Sequence, residues 1–148
     1  MRAEFGGRIL EPLHVTLERT DGEDGPGLVA AVREYAPRGR SVAVRGEKLF
    51  ITPSPYRGGD VLKLHVAHNE SLRRETDALR SAIRAAGLRS LYGDDRSMTV
   101  TVLERVDRHG SLDQSRWGLP LELFTADELI VSRIVDASTY DILDRVAI

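Results

Sequence analysis

Cysteine is absent from the 148 residues, which excludes disulfides, thiolate zinc sites and cysteine nucleophiles and is compatible with a reducing compartment. No stretch approaches the roughly 20 apolar residues of a membrane span, and the polar start MRAEFGGRIL lacks the apolar run of a signal peptide. A cytoplasmic protein without membrane contact is therefore expected. Charge of one sign is also missing: the net charge is −2, so there is no general attraction to nucleic acid and no DNA-binding signature. Glycine-rich Walker loops, GxGxxG after a strand, HExxH and GxSxG do not occur, nor do solenoid repeats or low-complexity segments. With 41% hydrophobic and 30% charged residues, the chain fits one globular domain over residues 1–148 with a buried core.

Periodicity organises what is present. Leu13, Val15 and Leu17 in RILEPLHVTLER alternate with His14, Thr16 and Glu18, the pattern of a strand with two distinct faces. A loop rich in turn formers follows, then a short helix in GLVAAVREYA ended by Pro37. SVAVRGEKLFITP reads as a hairpin turning at Gly46, and DVLKLHVAH as another alternating strand. NESLRRETDALRSAIRAAG places Leu72, Thr76, Leu79, Ile83 and Ala86 on one helical face, with Asn69 as amino-terminal cap, Glu70 and Arg74 as a pair one turn apart, and a stop at Gly87. Together these predict an α+β domain with mainly antiparallel sheets around a cleft and helices on the outer faces.

The second half echoes the first. SMTVTVLERVDRHG can be laid on PLHVTLERTDG so that Met98, Val100 and Val102 match Leu13, Val15 and Leu17. Thr99 and Thr101 then stand where His14 and Thr16 stand. Threonine and valine are good strand residues, so by itself the echo is also what two strands of one sheet would show.

The order of the whole chain resembles the two-histidine phosphoesterase superfamily, the 2'-5' RNA ligase-like and cyclic phosphodiesterase proteins. LHVTLER looks like the first His-x-Thr motif, LFITP and VLKLHV like the middle strands, LRRETDALRSAIRAAGL like the helix before the second motif, and LPLELFTADELIVSRIVDASTYDIL like the closing strands. The resemblance implies two pseudo-symmetric lobes and a site made of His14, Thr16, Thr99 and Thr101. It departs from the family at the second motif, where Thr99 replaces histidine and Thr101 is retained. In-line attack on a cyclic or 2'-linked phosphodiester needs one group to accept a proton and another to donate one, and imidazoles do both near neutral pH. A threonine hydroxyl does not titrate there. The resemblance thus implies His14 as the surviving acid or base, with Thr16 and Thr101 as phosphate ligands and Thr99 marking the altered half-site.

Other residues offer partial alternatives. His65 and His68 in KLHVAH and His109 in VDRHG are candidate substitutes for the missing imidazole, or a strand histidine and two loop histidines. Arg38, Arg40, Arg45 and Arg57 lie near turns where guanidinium groups can grip phosphate, and Tyr56 can stack on a base; each is equally a surface residue. Asp94 and Asp95, and Asp21, Glu23 and Asp24, match no calcium or magnesium loop, so no metal or other cofactor is expected. Trp117 reads as a packing anchor at a turn, with nucleotide stacking as the alternative. The expected function is that of a diverged phosphoesterase, acting on or binding a nucleotide or RNA-terminal phosphodiester and weakened or inactivated by Thr99. The alternatives are a non-catalytic phosphate or RNA-end binding module and a protein-interaction scaffold of the same fold.

Overall fold

The computed structural model describes residues 1–148 except positions 23, 55–56, 94–95, 109 and 136–138. Among the described residues, the order is α1 (Arg2–Phe5), β1 (Arg8–Ile9), α2 (Gly25–Tyr35), β2 (Val42–Ser54), β3 (Gly59–Val66), α3 (Glu70–Ala85), β4 (Thr99–Val106), β5 (Leu121–Ala126), β6 (Glu128–Ile134) and β7 (Tyr140–Ala147). The strands form two sheets, a five-stranded one in the order β1-β4-β3-β2-β5 and a two-stranded ribbon of β6 and β7. Every pairing is antiparallel. The architecture is α+β, as the periodicity predicts. No helix among the described residues is long and apolar enough to cross a membrane.

Helix α3 forms for the reasons its sequence advertises. The Asn69 side chain accepts hydrogen bonds from the backbone N–H groups of Ser71 and Leu72, occupying donors that a helix start leaves unpaired. Leu72, Thr76, Leu79 and Ile83 are buried, and Gly87 follows with φ of 79°, a left-handed conformation that glycine adopts at little cost. Glu70 does not pair with Arg74, whose carboxylate neighbour is Glu75 at 3.9 Å. Helix α2 ends in a 3-10 turn, Ala36–Arg38, that contains Pro37. It packs on α3 and on the β6–β7 ribbon, enclosing a core of Val32, Tyr35, Leu79, Ile83 and Val131.

A second core lies under the larger sheet, where Phe5, Leu49, Leu62, Leu64 and Leu103 are buried together. Trp117 packs against it, its ring 5.9 Å from Phe5 and its indole N–H donating to the Ser111 carbonyl at 2.8 Å.

Two sequence expectations are corrected. The predicted hairpin at Gly46 is one continuous strand, β2, with an irregularity between Gly46 and Lys48. Gly46 is buried between β3 and β5, where an added Cβ would lie 3.2 Å from Leu64 and 3.3 Å from Leu123. The glycine serves close packing, and the chain reverses after Ser54 instead. The predicted strand over residues 13–17 is likewise reduced to one bridge, Val15 to Val100. Past that bridge the Thr16 carbonyl accepts from the Arg96 side chain at 3.0 Å. A guanidinium there takes the place of a strand partner.

Candidate functional site

The Val15–Val100 bridge is antiparallel, and Val100 is fully buried. Side chains alternate across a strand, so the neighbours of both valines turn to the opposite face. Counting outward from the bridge sets His14 against Thr101 and Thr16 against Thr99. On the other flank of β4, β3 sets Lys63 against Thr101 and His65 against Thr99. His14, Thr16, Thr99 and Thr101 accordingly line one cavity of about 130 Å³, closed on its far side by Ile134 and Tyr140 from the β6–β7 ribbon.

Electrostatics give the cavity a definite sign. Arg19, Arg57, Lys63 and Arg96 all line it, and no carboxylate does among the described residues. A chain of net charge −2 thus concentrates cations at one spot, which suits a compact anion.

Arg57 and Arg96 are held in place. Arg57 is only 9% exposed and its Nη1 donates to Glu104 Oε2 at 2.6 Å, while Glu104 is 1% exposed. Arg57 Nη2 donates to the Tyr140 hydroxyl, and its guanidinium carbon lies 5.3 Å from the centre of that ring. Glu104 also accepts from Arg8 Nε at 2.6 Å. Burial alone would raise the Glu104 carboxyl, but the hydrogen bonds from Arg57 and Arg8 outweigh it and hold the group below its ordinary value. Arg96 stacks 3.5 Å above the Tyr92 ring, and its buried Nη1 has no hydrogen-bond partner among the described residues. A buried donor left unpaired is costly.

The loop carrying Tyr92 is fixed by Glu18, the acid two residues after Thr16. Glu18 accepts from the Tyr92 backbone N–H at 3.1 Å and the Ser90 hydroxyl at 2.7 Å, and it pairs with buried Arg80 at 2.7 Å. Glu18 therefore does not share the open cavity face with His14 and Thr16.

His14 Nδ1 lies 2.9 Å from the Pro12 carbonyl oxygen. A carbonyl can only accept, so Nδ1 carries the hydrogen and the neutral ring keeps Nε2 as its proton acceptor. The Tyr140 ring stands edge-on at 6.4 Å between centroids.

Lys63 is the least compensated cation. Burial lowers its pKa, and Arg96, Arg57 and Arg19 lower it further.

The other sequence candidates lie elsewhere. Arg38 is in the turn after α2, the Arg40 backbone N–H donates to Glu75 at 3.1 Å, and exposed Arg45 pairs in register with Glu122. None of the three lines the cavity. Tyr56 and His109 lie outside the described residues, as do Asp94, Asp95 and Glu23. His65 stacks on Phe50 at 4.4 Å, has Nδ1 3.1 Å from the Ser97 hydroxyl, and with His68 lines an adjoining groove that shares Thr16 and Arg96 with the cavity. Among the described residues no cluster of three or more His, Asp or Glu side chains could hold a metal ion.

Arg19, Lys63, Tyr92, Arg96 and Tyr140 were not singled out by sequence reasoning. Lys63 alone had a usable signal: it occupies a polar position of the VLKLHV alternation, two before His65.

No family model matches the chain, and no curated protein matches it. Among solved structures, one described as "Crystal structure of phosphoesterase" superposes with a TM-score of 0.60 at 18% identity, over 95% of this chain and 80% of that one. At that identity the likeness is one of fold, and the fold of this chain is phosphoesterase-like.

Proposed function

We propose that the cavity is a phosphodiester site and that the protein is a diverged two-histidine-type phosphoesterase acting on a nucleotide-type substrate, 2',3'-cyclic or 2'-5'-linked. The observation that carries this reading is the convergence of His14, the cross-strand threonines and four cations on one cavity without a lining carboxylate among the described residues. Hydroxyls of Thr16 and Thr101 donate to non-bridging phosphate oxygens, and Arg57 and Arg96 offset the phosphate charge. His14 Nε2 takes the proton of the attacking water. Thr99 supplies no proton, and losing a positioned proton handler slows such reactions by about 10²–10⁴-fold. The same substitution favours one other reading, a module of this fold that binds the phosphodiester without turning it over.

Turnover of a 2',3'-cyclic nucleotide and a 2'-5'-linked dinucleotide by the wild type, His14→Ala and Thr99→His tests the proposal. Wild-type turnover that vanishes in His14→Ala supports an enzyme. Turnover only in Thr99→His supports a binding module with an intact phosphate cradle, and none in any form, with no stabilisation by the ligand, rejects both.

A further inference from the structure

The geometry points to Lys63 as the proton donor to the leaving oxygen, facing His14 across Thr101. This rests on the phosphodiester reading above and assigns the proton that Thr99 cannot provide.

Three neighbouring backbone segments carry the row. Val15 bridges Val100 and Lys63 pairs with Thr101, so His14, Thr101 and Lys63 stand side by side, and all three line the cavity. Adjacent strands are about 4.8 Å apart, which places His14 and Lys63 two spacings, roughly 10 Å, from one another at the backbone. In-line displacement puts the attacking and leaving oxygens on opposite sides of phosphorus. Each needs its own proton handler one hydrogen bond beyond. A phosphate seated on Thr101 presents one such side to His14 and the other to Lys63.

The remaining lining groups are poorer donors. The Tyr140 hydroxyl oxygen accepts from Arg57 and its ring stands against His14, on the side of the attacking water, while Arg96 stacks on the Tyr92 ring. Ser54 and the threonines do not titrate near neutrality, and guanidinium groups do not release protons. Lys63 has an ammonium, and around it stand Arg19, Arg57 and Arg96 with no lining carboxylate among the described residues. The nearby carboxylate of Glu104 is already shared by Arg57 and Arg8. Burial first, and then this surrounding positive charge, makes the ammonium a stronger acid than an ordinary lysine.

The step balances as follows for a 2',3'-cyclic phosphodiester. Water oxygen forms a bond to phosphorus while His14 Nε2 takes one of its protons. The bond from phosphorus to one ribose oxygen breaks, and that oxygen takes a proton from Lys63 Nζ. The product is a ribose phosphomonoester, nothing is oxidised or reduced, and the two side chains exchange protons with solvent to reset.

A paired-substrate assay on the whole chain tests the assignment. Wild type, Lys63→Arg and Lys63→Met are compared on a 2',3'-cyclic nucleotide, whose alkoxide leaving group needs a proton, and on bis(4-nitrophenyl) phosphate, whose leaving group does not. Thermal stabilisation by inorganic phosphate reports that the fold and cradle are intact. The expected result is a loss of about 10²–10⁴-fold in kcat on the cyclic nucleotide for both variants. The loss in Lys63→Arg should be at least about tenfold smaller on the nitrophenyl ester than on the cyclic nucleotide, and the variant should lose the high-pH fall of kcat on the cyclic substrate. Equal losses on the two substrates, or full cyclic-nucleotide turnover by Lys63→Arg, overturn the assignment. Absence of wild-type turnover on both substrates also overturns it; stabilisation by phosphate would then preserve the binding reading, and its absence would remove that too.

Discussion

Val15 and Val100 form the antiparallel bridge that joins the two motif segments, one valine from each. Because Val100 is fully buried, the residues on either side of each valine must face away from the core, and the cavity begins there.

Replacing His14 tests the first consequence. His14→Ala is expected to lower kcat on a cyclic phosphodiester by about 10²–10⁴-fold. Its stability change should stay within about 0.5 kcal/mol, since the ring contributes no core packing. Steady-state kinetics and thermal melting of the same samples separate the two effects.

Thr99→His restores an imidazole directly across from Thr16. In Lys63→Met, which lacks the assigned donor, the added imidazole is expected to raise turnover by up to about 10²–10⁴-fold, and with Lys63 in place by less. Unchanged kcat in a variant that still binds phosphate would place the reacting oxygens away from residue 99.

Glu104 ties the cavity to stability. Glu104→Gln leaves Arg57 as a buried cation without its counter-charge, a change that costs about 3 kcal/mol or more when a buried pair is broken. It should also weaken phosphate binding, because Arg57 loses the bond that aims it. Chemical denaturation and a phosphate titration check the two parts.

The same carboxylate predicts acid sensitivity. Its folded pKa is lowered, so the stabilisation is present above the ordinary glutamate value of about 4.3 and is lost as pH falls through the lower folded value. Melting curves from pH 6 downward should show a steeper loss for the wild type than for Glu104→Gln.

Lys63 has the opposite sign. Its pKa is lowered by burial and by Arg96, Arg57 and Arg19, so its charged form opposes folding at neutral pH, and stability rises as pH climbs from the folded value toward about 10.4. Lys63→Met is expected to raise Tm at low ionic strength, with the gain shrinking when phosphate or salt screens the cluster. A lower Tm at low salt would contradict the account.

Much of the framework was legible because it is local. Asn69, the buried face of α3 and Gly87 each act within one or two turns, and the alternations of β3 and β4 show at a spacing of two. The four residues that the alignment of His14-x-Thr16 on Thr99-x-Thr101 pairs all line one cavity. The rest depends on pairing between distant segments. Gly46 looks like a turn until Leu64 and Leu123 are seen pressing on it, and the strand at 13–17 shortens because Arg96 takes the Thr16 carbonyl. Of the turn arginines that suggested a phosphate grip by composition, Arg57 lines the cavity and Arg38, Arg40 and Arg45 do not. Arg57 is joined there by Arg19, Lys63 and Arg96, residues whose convergence is set by strand order and not by spacing along the chain.

The central claim is that phosphate sits in the cavity between the two motif segments. Titration of inorganic phosphate followed by backbone amide chemical shifts tests it most directly. The account predicts saturable shifts concentrated at Thr16, Lys63, Arg96, Thr99 and Thr101, abolished or greatly weakened in Arg57→Ala. Shifts centred on Arg38, Arg40 and Arg45, or no saturable shifts at all, would contradict it.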